Sequence, residues 1–78
     1  MTTATVALTS TTAYTLITSA ADFTAQNTHS SKQEWVRAAS LPAGTVQGVL
    51  VSSEHGMVGS DGTGSLYAKG KGSVVVIT

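Results

Sequence analysis

Ser65-Leu66-Tyr67-Ala68-Lys69-Gly70-Lys71-Gly72-Ser73-Val74-Val75-Val76-Ile77-Thr78 joins two runs of strand-forming residues through a Gly-Lys-Gly step. Valine, isoleucine, tyrosine and threonine suit a pleated, half-buried surface. A glycine-rich connection of this length between two such runs reads as a β-hairpin. The closing valine run is apolar on both faces, which fits either a central strand of a sandwich or a strand with one face against a partner.

Toward the N-terminus the same grammar repeats. Gly59-Ser60-Asp61-Gly62-Thr63-Gly64 is a tight turn by composition, preceded by a short strand at Met57-Val58 and a longer one expected from Val46 to Ser52, with Val49 and Val51 sharing a face. Glu54-His55-Gly56 ends that longer strand. Leu41-Pro42-Ala43-Gly44 reads as a reversal, proline fixing φ at the second position and glycine suiting the last. Asp22-Phe23-Thr24-Ala25-Gln26-Asn27 alternates strictly, which places Phe23 and Ala25 inward against Asp22, Thr24 and Gln26 outward. Tyr14 to Thr18 is a further strand, with Tyr14 and Leu16 on one face. Ser31 to Ala39 carries two signals: Ser31 and Glu34 have capping-box spacing, whereas the alternation through Trp35, Val36 and Arg37 favours a strand, the preferred reading because a lone short helix is marginal. The Thr-rich opening, 1–12, is either a first strand or an arm. Six to eight short strands at about ten-residue spacing indicate one all-β domain over 1–78, a small antiparallel β-sandwich or barrel.

Composition narrows the function. A 78-residue chain hides only about 60% of the surface its unfolded form exposes, and domains of this size commonly lean on disulfides, a metal or oligomer contacts. There is no cysteine, and His29 and His55 have no thiol or carboxylate at ligand spacing, so no metal or cofactor is expected. Oligomerisation or docking remains. Charged residues make up 10% of the chain and sum to zero, and a neutral protein tends to associate. Lys32, Arg37, Lys69 and Lys71 are scattered in sequence among Asp22, Glu34, Glu54 and Asp61, which gives no basic run for nucleic acid. No apolar stretch approaches the roughly 20 residues of a membrane helix, and the opening residues lack a signal-peptide pattern, so a soluble protein made in the cytoplasm is expected.

No constellation for catalysis emerges, and the chain is not expected to be an enzyme. Glu54 and His55 are adjacent, and neighbours on a strand point to opposite faces. His29 falls in a polar loop with Thr28, Ser30 and Ser31. No G-x-S-x-G elbow accompanies the many serines, and the glycines at 59–64 lack the Lys-Ser/Thr and following helix of a phosphate loop. Asp61 alone falls short of the oxygens that calcium requires. Tyr14, Trp35 and Tyr67 are the candidate interface residues: aromatic rings carry much of the burial in a core or a subunit contact, and a stacking platform for a sugar is the alternative.

The order of pieces also resembles a family. The Tyr14 strand, Phe23 to Asn27, the Pro42–Gly44 turn, the Gly62–Gly64 turn, Tyr67-Ala68-Lys69 and the closing valines together resemble the small β-sandwich virion proteins of tailed bacteriophages. Trp35 and Ser31 to Glu34 lie outside the shared pattern. The resemblance implies a virion structural protein, foremost a decoration (cement) protein on the outer capsid surface, assembled in host cytoplasm and bound to the major capsid protein as a homo-oligomer, a trimer being favoured. It offers no catalytic residues. A tail-fibre or tail-tip module reading a host glycan is the alternative.

Overall fold

The computed structural model describes residues 2–59 and 64–78. Eight strands and no helix occur among them: β1 (Thr3–Ala7), β2 (Thr15–Thr18), β3 (Phe23–Asn27), β4 (Gln33–Ala38), β5 (Val49–Val51), β6 (Gly56–Gly59), β7 (Ser65–Gly70) and β8 (Ser73–Ile77). They form two antiparallel four-stranded sheets, ordered β1-β8-β3-β6 (sheet A) and β2-β7-β4-β5 (sheet B). The fold is a sandwich.

The two strand orders correspond position by position. β1 and β2, β8 and β7, β3 and β4, and β6 and β5 occupy equivalent places, and each such pair is consecutive in the chain. Each pair is therefore an arch, leaving one sheet and entering the other. The pairings Ala7↔Ser73, Asn27↔Val74, Gln26↔Gly56 and Gln33↔Gly70 put all four arch connections at one end of the sandwich.

The expected hairpin at 65–78 is therefore an arch. The favoured two-residue hairpin turns, types I′ and II′, both need positive φ at the first central residue, here Lys71. Positive φ falls instead on Gly70 (136°) and Gly72 (90°), with Lys71 in the ordinary region. The chain consequently leaves the plane of sheet B and enters sheet A, where β8 is held between β1 and β3. The valine run is thus a central strand.

Pleat alternation sorts the remaining side chains. Ile17, Phe23, Ala25, Trp35, Val51, Leu66, Ala68, Val74 and Val76 fill the space between the sheets. Residues 33–38 form a strand, as the alternation required, and the capping-box residues act otherwise: the Ser31 carbonyl accepts from Asn27 Nδ2, and Glu34 Oε2 accepts from Gly48 N. The strand expected from Val46 to Ser52 is confined to Val49–Val51. Val46 N donates to Ala43 O, so the reversal is centred two residues beyond the one expected at 41–44, and 46–48 belong to the loop. The opening residues supply a first strand, β1, paired with β8. Most of the expected 59–64 turn lies outside the described residues.

Candidate interaction surfaces

The three aromatic residues singled out by sequence are all buried: Trp35 is 0% exposed, Tyr14 6% and Tyr67 7%. They do not form a common surface. Trp35 points between the sheets, its Nε1 donating to Gln33 Oε1. Tyr14 and Tyr67 lie outside the main core cluster, on the outer face of sheet B. The loop over 39–48 folds back on that face through three hydrogen bonds: Tyr14 OH to Val46 O, Lys69 Nζ to Gly44 O, and Gly48 N to Glu34 Oε2. Lys69 also sits 4.8 Å from the Tyr14 ring centroid and 3.8 Å from Glu34. Desolvation pushes the Tyr14 phenol above its ordinary value, and the Glu34 carboxylate adds to the rise. Tyr14, Glu34 and Lys69 resemble a reactive cluster in composition, but each of them is engaged with loop backbone. Their role is to staple the loop.

Both histidines serve the backbone. His29 Nδ1 accepts from Ser31 N within the β3–β4 arch. His55 is exposed, its Nδ1 3.1 Å from Ser53 O, in the β5–β6 arch where Glu54 takes a φ of 67°. The buried polar side chains are Asn27 and Gln33, which sit at the arch end. Asn27 Nδ2 donates to Ser31 O and Val51 O, and Gln33 Nε2 donates to Lys71 O and Ser73 O. The β3–β4 arch is thereby sewn to the arches on both sides of it. Neither residue announced this role in sequence, although Gln and Asn inside an alternating apolar pattern are the signal that a buried polar group has a partner.

Two surfaces stand out by composition. The first is sheet A, whose four strands contain no charged residue. Its outer face presents the cross-strand rows Thr3–Ile77–Thr24–Val58 and Thr5–Val75–Gln26–Gly56, with Val58 76% exposed. Strand-borne charge is confined to the central strands of sheet B: Glu34 and Arg37 on β4, Lys69 on β7. This apolar character continues around the β5/β6 edge. Val49 and Leu50 are exposed there, and a cleft of about 560 Å³ opens between the sheets, lined by Trp35, Val36, Val49 and Met57 together with Arg37 and Gln47.

The second surface is a pocket of about 320 Å³ at the arch end of sheet B, whose lining includes Lys32, Lys69, Lys71, Glu34, Thr11 and Ser31. Three of the chain's four cationic side chains meet here, although the sequence separates Lys32 from Lys69 and Lys71 by more than thirty positions. The pairing of β4 with β7, Gln33 opposite Gly70, brings them together. No protein-family model, curated protein or solved structure matches this chain.

Proposed function

We propose that the protein is a non-enzymatic assembly module that docks its charge-free sheet and open strand edges onto protein neighbours, and that its setting is a virion, as a capsid decoration protein. The supporting observation is the segregation of charge by sheet. A solvent-facing antiparallel sheet ordinarily shows polar and charged residues outward, and exposed edge strands are usually blunted with lysine, proline or inward charges. Here β1, β2, β5 and β6, the four edge strands, carry neither charge nor proline. A face of Thr, Val, Ile and Gln bordered by uncharged edge strands suits contact with a neighbouring protein.

Binding only to an assembled lattice would stabilise that lattice by mass action, and contacts to adjacent subunits would add multivalent hold. The virion setting rests on the family resemblance of the sequence. The glycan-reading alternative requires an exposed ring, and Tyr14, Phe23, Trp35 and Tyr67 are all buried.

The test is binding of purified protein to undecorated capsids with a Val58→Lys variant alongside. Wild type is expected to co-sediment with capsids at micromolar concentration and to raise their melting temperature, and the variant to lose both. Absence of co-sedimentation by the wild type would overturn the capsid assignment. A wild type that is also monomeric at high concentration by light scattering would overturn the assembly reading as a whole.

A further inference from the structure

We propose that the lysine pocket at the arch end of sheet B is a binding site for a phosphate-class dianion, as the free ion or on a small phosphomonoester. Lys32, Lys69 and Lys71 against Glu34 leave an excess of two positive charges around this pocket. The chain as a whole is neutral, so Asp22, Arg37, Glu54 and Asp61 together carry the balancing two negatives. Among the described residues Asp22, Arg37 and Glu54 lie outside the lining of this depression. A phosphate monoester carries about −1.5 to −2 at neutral pH and three acceptor oxygens, which matches both the charge and the donors on offer.

The three lysines are not equivalent. Lys69 is fixed beneath the pocket by Gly44 O, Glu34 and the Tyr14 ring, with 12% of its side chain exposed. Lys32 and Lys71 are exposed, and among the described residues neither ammonium has a hydrogen-bond or ion-pair partner. Lys32 leads into β4 and Lys71 lies in the two-residue β7–β8 arch, and the Gln33 side chain, adjacent to Lys32, donates to the Lys71 carbonyl. The two backbones that carry the partnerless ammoniums are therefore held against each other by a part-buried hydrogen bond. Thr11 and Ser31 also line the wall. Lysine binds phosphate as a point charge and needs no fork geometry. This inference does not rest on the assembly reading.

Inorganic phosphate is the probe. In a titration at low ionic strength and about pH 7.5, where phosphate is mostly the dianion, backbone amide NMR signals of Thr11, Ser31, Lys32, Gly70 and Lys71 are expected to shift saturably. Sodium chloride at matched ionic strength is expected not to reproduce those shifts. The exposed-site double variant Lys32→Gln/Lys71→Gln should fold normally and bind about tenfold or more weakly. Glu54→Gln, which also changes net charge but lies outside the pocket, should leave the affinity unchanged. Glycerol 2-phosphate binding as well as phosphate would place the site's ligand among phosphomonoesters, and binding of phosphate alone would make it the free ion. Overturning results are shifts that chloride reproduces, affinity unchanged in the double variant, or succinate binding as tightly as phosphate.

Discussion

Gln33 ties the β7–β8 arch to the interior through its side-chain amide. Its amide donates to two carbonyls of the β7–β8 arch in part-buried hydrogen bonds and accepts from the Trp35 indole in a buried one. Gln33→Leu leaves the buried Trp35 indole N–H without a partner and removes two part-buried hydrogen bonds to the arch, and should lower unfolding free energy by about 1–3 kcal/mol. Urea denaturation would read this as a lower midpoint with an unchanged slope. Tyr14 makes a prediction in pH. Its phenol is raised above the ordinary value of 10.0 by burial and then by Glu34, so the fold favours the protonated form. The unfolded chain releases that proton first on raising pH. The stabilisation is therefore complete below about pH 10 and is lost as pH climbs through the folded-state pKa. The stability gap between wild type and Tyr14→Phe should shrink steadily above about pH 10 and stay constant below it. At this scale sequence alternation identified Phe23 and Ala25 as inward, but burial of Tyr14 on the outer face could not be read, because the loop that covers it is thirty residues away.

The β7–β8 connection shows where local rules stop. Gly-Lys-Gly between two strand-forming runs has the composition of a hairpin, and the strands themselves were legible. Their partners were not, since pairing is settled by which backbone edges remain open once the other strands are placed. β7 is flanked by β2 and β4, and β8 by β1 and β3, which leaves neither an edge for the other. Gly72 is the residue that makes the crossing feasible, with φ at 90° and a Cβ position only 2.4 Å from His29 Cγ. Gly72→Ala should destabilise by about 1–3 kcal/mol through backbone strain and crowding of His29. Thermal unfolding would measure this, and the same substitution at a surface site should be near neutral. The lysine pocket follows from the same arch, and for that reason one-dimensional spacing scattered its members.

At the scale of the whole molecule, the sandwich has one charge-free sheet and one sheet that gathers the strand-borne charge, a contrast visible in sequence only after strands are assigned to sheets. Val58→Lys should change stability by no more than about 0.5 kcal/mol, because the side chain is already exposed, while abolishing self-association or lattice binding. Denaturation and sedimentation on one sample would separate those effects. The stacked-arch layout has a kinetic corollary. Of six strand pairings, β4 with β5 alone joins neighbours in the chain, and every other ladder unites segments distant in sequence. Little can zip up locally, and such topologies reach the native state in milliseconds to seconds. During that interval uncharged strand borders stay open to strangers, so the yield on refolding should fall as protein concentration rises.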